Sequence, residues 1–254
     1  GRALIQSPRE LRSVLGVLAA AGILYSLCIW IELRLSPQLH RWIYGFHQHL
    51  FYQTVRSWGY RPVAFMENGL VLAMFIATAT VAAVTLARAR MAIPTRLWLF
   101  PSKAASLYLA GVLIMVKSVA AAVWGFAAAA MVVFLRPRFA AVAVLILSLV
   151  VASYPALRLM QLVPVAQIVD FSDVWTGRGW SLAARFENED LMLAKTLERP
   201  LFGWGGWARG WIYDPVTGEA MTAPDGFWVL HLVSRGLVGW ACVFALLLAP
   251  LLQT

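Results

Sequence analysis

Long apolar runs, separated by short charged or aromatic connections, set the pattern of this chain. The first, over residues 14–33, follows Arg2, Arg9 and Arg12 and closes on Glu32 and Arg34. It is long enough to cross a hydrocarbon core of about 30 Å as a helix. Residues 36–61 mix aromatics with His and Arg, and Trp42, Phe46 and His49, then Tyr52 or Gln53, fall at helical spacing. That pattern predicts an amphipathic helix lying in the headgroup layer. Pro62 opens a second run over 63–87, with Glu67 and Asn68 near its start. The apolar stretch 104–135 is interrupted only by Lys117 and Ser118. As one helix it would measure about 48 Å, so two crossings are expected, 97–116 and 119–135, with a turn between them. A run over 139–154 is expected to end at Pro155, and 227–250 is the last crossing.

Charge orients these runs. Arg88, Arg90, Arg96 and Lys103 share one connection, and the hairpin reading puts Arg136 and Arg138 on the same side, which marks it cytoplasmic. The result is six crossings with the amino end inside and a large external loop over 156–224 that carries eight of the twelve acidic residues. The expected fold class is all-α, a polytopic membrane helical bundle with one large periplasmic loop containing helices. Its parts are residues 1–155, the loop at 156–226 and the final helix at 227–254. Composition agrees, with 61% hydrophobic and 13% charged residues among 254. The net charge of +9 is scattered between apolar runs, which fits anionic lipid or phosphate contacts and argues against nucleic acid. Cys28 and Cys242 lie inside apolar runs and are expected as packed thiols. The chain starts with Gly and stops just after a span, as a piece of a longer protein would; no signal peptide is visible.

Candidate chemistry gathers in 177–240. Ser181 is placed to cap a helix from 182 to about 198, stopped by Pro200. Arg185 lies near its amino end, where a cation opposes the helix dipole; it is either a surface arginine paired with Glu189 or a functional group. In the turn LFGWGGWARGW, glycines permit positive φ and close backbone approach. Trp204, Trp207 and Trp211 there are either interfacial belt residues or platforms for sugar rings. Asp225 is either a helix cap or, if desolvated, a general base. Lys117 either faces a cavity or snorkels to the interface. His40, His47 and His49 invite a metal, but positions two apart do not share a helix face and no acid accompanies them, so no metal site is expected. His231 reads as a helix-packing contact.

Four stretches carry a family resemblance: QTVRSWGYRPVAFMENGL from residue 53, IMVKSVAAAVWGF from 114, SLAARFENEDLMLAKTLERPLFGWGGWARG from 181 and PDGFWVLHLVSRGLVGW from 224. In these the chain resembles the bacterial O-antigen ligase/polymerase-like membrane proteins. The resemblance implies a metal-independent glycosyltransferase of the GT-C type, without cofactor, at the bacterial inner membrane with its active face periplasmic. Such proteins move a glycan from an undecaprenyl-diphosphate donor to lipid A-core sugar or another glycan, and complete members have about twice as many spans. Arg185 would stabilise the departing diphosphate, supported by Arg61, Lys117 and Arg209, and Asp225 would accept the proton of the acceptor hydroxyl. Trp204 and Trp207 would position sugars. Two places depart from the family: Asp225-Gly226 stands where ligases have His-Asn, and Lys117-Ser118 where they have Ser-Arg. A non-catalytic transporter or assembly factor for surface polysaccharide is the competing class; it predicts broken helices and charges near the bilayer midplane.

Overall fold

A computed structural model describes residues 5, 7–48, 50–56, 59–91, 101–177, 179–222 and 226–249. It is mostly helical, and the chain divides into two compact units at residues 140 and 141. Four helices are long and apolar enough to cross a membrane: Pro8–Leu35 (α1), Gly69–Arg88 (α3), Pro137–Leu159 (α6) and Phe227–Leu248 (α9). Between them lie Leu39–Tyr44 (α2), Ser102–Met115 (α4), Val119–Phe134 (α5), Val165–Thr176 (α7) and Gly179–Leu197 (α8).

In unit 1, α1 starts with a capping box in which Ser7 Oγ accepts from Glu10 N while Glu10 accepts from Ser7 N, and Pro8 supplies a fixed φ at the first helical position. The core forms where α1, α4 and α5 pack on α3, through Ile29, Leu72, Ile76, Val112 and Leu113. Small residues let the backbones approach: a Cβ at Gly22 would lie 2.6 Å from Ala79 Cβ, and one at Gly125 would lie 3.0 Å from Ala77 Cβ. The expected hairpin of apolar helices is present, with its turn at Lys117 (φ 59). At 14 and 16 residues its two arms measure only about 21 and 24 Å, short of a full crossing. Residues 97–100 of the expected first arm lie outside the described residues.

The segment 36–61 departs from a continuous amphipathic helix. Gly45, in the left-handed conformation at φ 82, stops α2 after six residues. A 3-10 turn, Phe51–Thr54, and a small antiparallel hairpin follow, formed by Val55–Arg56 (β1) and Gly59–Tyr60 (β2). Glu32 ties this segment down. It is 1% exposed, and its carboxylate accepts from the backbone N–H groups of Leu39 (3.3 Å), Val63 (2.8 Å) and Ala64 (2.7 Å). A buried carboxylate of this kind persists because its lone pairs are filled by donors that would otherwise lack partners.

In unit 2, α6 runs through Pro155 instead of ending there. The side chain that holds this last stretch is Arg158, which is buried: its Nη2 donates to Phe186 O (3.3 Å) and Asp190 Oδ1 (2.6 Å), both on α8. Packing outweighs the local cost of proline in a helix. The cap of α8 also differs from the Ser181 expectation. Asp173 Oδ1 accepts from Gly179 N at 2.8 Å, so α8 starts earlier and Ser181 lies within it. Gly179 leaves room for this, since a Cβ there would lie 2.6 Å from Asp173 Cβ.

The last helix is interrupted. Gly236 has φ 66 and ψ −173, and the backbone of residues 200–205 fills the break. Trp204 N donates to Val233 O (2.9 Å) and Gly205 N to Ser234 O (2.8 Å), while Leu237 N and Val238 N donate to Pro200 O (2.8 Å) and Leu201 O (3.2 Å). Four backbone groups that a continuous helix would have paired internally are thereby satisfied.

Candidate functional site

The α8 sequence places Leu182, Arg185, Phe186, Glu189 and Met192 on one face by their three- and four-residue spacing. That face, with Asn188, Tyr154 from α6 and Gly226 and Val229 from the start of α9, lines a cleft of about 280 Å³. Arg185 therefore does open onto a cavity. Glu189, its expected partner, lines the same cleft and has further partners: Tyr154 Oη donates to Glu189 Oε2 at 3.0 Å, and Arg158 Nε stands 3.6 Å from the same oxygen. Burial pushes the Glu189 carboxyl above its ordinary value, opposed in turn by hydrogen bonding from Tyr154, the Arg158 charge and hydrogen bonding from Trp228. Tyr154 packs edge-on against Trp228, with ring centroids 5.1 Å apart. The cleft thus carries a guanidinium, a carboxylate, an amide and a phenol beside aromatic walls, at the amino end of a long helix whose first N–H groups favour anions.

The N-cap position of α9 is held by Gly226. Asp225 itself lies outside the described residues. Of the other candidates in unit 2, Trp204, Trp207 and Arg209 are not among the residues lining the cleft. Trp204 is a packing residue. Its indole N–H donates to Lys195 O (2.9 Å), and the Lys195 and Arg199 cations stand 4.1 and 4.2 Å from its ring. With Trp211 and Trp228 it surrounds Met192, Val229 and Val233. Trp207 is 96% exposed and Arg209 is exposed.

In unit 1 the structure brings two of the expected cations together. The β1–β2 hairpin carries Arg61 at its exit, and Arg61 Nη2 donates to Ser118 Oγ (3.1 Å) at the α4–α5 turn. At Gly59 a Cβ would lie 3.1 Å from Lys117 Nζ, so the Lys117 ammonium rests against the hairpin backbone. A Cβ at Gly69 would lie 2.7 Å from Arg61 Nε. Two glycines, Gly59 at φ 102 and Gly69, make room for these two cations.

The described histidines make ring and backbone contacts. His40 packs against Tyr44 and Phe46, both at 4.7 Å, His47 lies 5.6 Å from Phe51, and His231 Nδ1 bonds to Phe227 O at 2.9 Å. His49 lies outside the described residues, among which no group of three or more His, Cys, Asp or Glu is placed to hold a metal. Cys28 is half-buried as expected, whereas Cys242 is exposed on α9. Sequence reasoning missed Tyr154 and Arg158. Their spacing of four at the end of a span, facing the Glu-Asn-Glu-Asp run of α8, was the available signal.

Four helices long and apolar enough to cross a membrane give the chain the make-up of a helical membrane protein. No family model, curated protein or solved structure matches the chain.

Proposed function

We propose that the chain is a membrane glycosyltransferase that moves a glycan from undecaprenyl diphosphate to a periplasmic acceptor, lipid A-core sugar or another glycan. The observation that supports this most is the placement of Arg185 in a mixed polar and aromatic cleft at the start of α9. In this reading the acceptor hydroxyl oxygen attacks the anomeric carbon of the donor sugar. The bond from that carbon to the diphosphate oxygen breaks, and its electron pair leaves with the diphosphate. Arg185 stabilises the departing anion through its planar, permanently charged fork. Asp225, next in sequence to the cleft residue Gly226, takes the hydroxyl proton. Arg61 and Lys117 form a cationic pair suited to a lipid-borne phosphate, and Trp207 and Arg209 offer an exposed sugar contact.

The test is glycan transfer in membranes containing Arg185→Ala, Arg185→Lys and Asp225→Asn chains at equal abundance. Transfer is expected to be lost in the first, reduced in the second and steeply cut in the third. Near-native transfer by Arg185→Ala removes the cleft from the chemistry. A non-catalytic transporter is the second reading, and the broken α9 is the observation in its favour. It predicts movement of lipid-linked glycan across vesicles with no new glycosidic bond. The break is filled by loop backbone, which favours the transferase.

A further inference from the structure

Helix α7 presents a large uncovered apolar face directly after a membrane span. Ile168, Phe171, Val174 and Trp175 recur at three- and four-residue spacing and are exposed; Val174 reaches 83% and Trp175 74%. The Phe171 and Trp175 rings associate, with centroids 6.0 Å apart. A different face of α7 packs on α8, where Val169 and Ser172 are half-buried, and Asp170 stands at the edge of the exposed face beside Val174, well round the helix from Trp175. A helix with this division of faces would be strongly unfavourable in water, because aromatic and β-branched side chains of this size lose the stabilisation that burial gives.

The occupant of that face is set by what α7 is joined to. The lipid-facing surface of α6 ends at Leu159, and the apolar strip continues through exposed Met160 and Leu162 into α7. The connection is five residues, at most about 18 Å if fully extended. It is in fact folded, with Leu162 N donating to Leu157 O (2.9 Å) and Val165 N to Val163 O (2.8 Å). The start of α7 therefore stays close to the end of a span, at the level where a bilayer passes from acyl chain to headgroup. Trp and amphipathic helices collect at that level.

We propose that α7 is an interfacial anchor, its Phe171, Val174 and Trp175 face seated in the acyl–headgroup boundary of the same bilayer that α6 crosses. The helix VAQIVDFSDVWT carries no Lys or Arg, so apolar burial and not attraction to anionic lipid holds it. This is independent of the transferase reading. It also gives unit 2 a reason to hold its cleft near a membrane surface, since α7 packs on the helix that lines the cleft.

The test uses the full chain, with Cys28 and Cys242 replaced by Ser, reconstituted into phosphatidylcholine vesicles with or without phosphatidylglycerol. An environment-sensitive dye is placed at Trp175→Cys and, well round the helix from it, at Asp170→Cys. At 175 the expected result is blue-shifted emission, loss of signal to a lipid-borne quencher and shielding from an aqueous one, equally in both lipid mixtures. At 170 the pattern is the reverse. Aqueous access at 175 overturns the proposal, and so does shielding from both quenchers, which would mean a protein partner on this face. A dependence on anionic lipid overturns the apolar mode of binding. Phe171→Cys reports the same face should Trp175→Cys fail to fold, and both positions are too exposed to carry the packing of α7 on α8.

Discussion

Replacing Gly236 by Ala tests how the loop and the last helix are joined. At φ 66 and ψ −173 this residue occupies a region of backbone space that is nearly exclusive to glycine, and a side chain there costs about 1–3 kcal/mol in strain. A Cβ would also lie 2.3 Å from Leu201 O and 2.5 Å from Phe202 N, and these are backbone atoms that cannot rotate aside. The loop must retreat, weakening the four backbone hydrogen bonds that complete α9. Losing two of them at about 0.5–1.5 kcal/mol each adds about 1–3 kcal/mol. The sum is on the order of 2–6 kcal/mol, which corresponds to a fall in Tm of roughly 5–20 °C for a chain of this size. Gly203→Ala meets Gly236 N and Val233 O from the other side, both at 2.6 Å, and is expected to cost about as much. Because both changes break one joint, the double variant should be less damaging than their sum. Gly206, three residues away with nothing near its Cβ position, is the control and should be nearly neutral as Ala. The assays are thermal unfolding in detergent and limited proteolysis, with cutting expected in the 200–210 segment of Gly236→Ala. A Gly236→Ala chain as stable and as protease-resistant as Gly206→Ala would refute the view that this loop closes the helix.

Other consequences concern single side chains. Because burial raises the Glu189 carboxyl, the folded state binds its proton more tightly than the unfolded one. Stability should therefore fall as pH rises from about the ordinary glutamate value of 4.5 through the raised folded one; Glu189→Gln should lack that part of the slope in a pH series of unfolding midpoints. Asp214 behaves oppositely, because backbone donors at Thr217 and Val216 lower its carboxyl. Its turn should lose stability only as pH falls below 3.8 through the lowered value, read from amide exchange at residues 216 and 217. Trp204→Ala should destabilise the fold by about 2 kcal/mol, since it removes ring packing and two cation contacts, whereas Trp207→Ala should change stability by less than about 0.5 kcal/mol. If Trp207 contacts a sugar, its variant loses glycan transfer with the fold intact.

The apolar runs determined the helical class, the positions of the long helices and the turn at Lys117-Ser118, because burial of apolar length in lipid depends on local composition and on little else. The glycine-rich turn was also legible as a place of close backbone approach, and Gly203 meets that expectation. Where helices began and ended was decided by contacts between segments far apart in the chain. Arg158 carries α6 past Pro155, Asp173 caps α8 ahead of Ser181, and Gly45 with buried Glu32 turns the segment after α1 into short pieces. The candidate site divides the same way. Arg185 stood out in the sequence as a cation at the wrong end of a helix. Tyr154, which shares its cleft, and Arg158 and Trp228, which engage Glu189, come together only when α6, α8 and α9 pack, since no periodicity along one helix encodes which face another helix will meet.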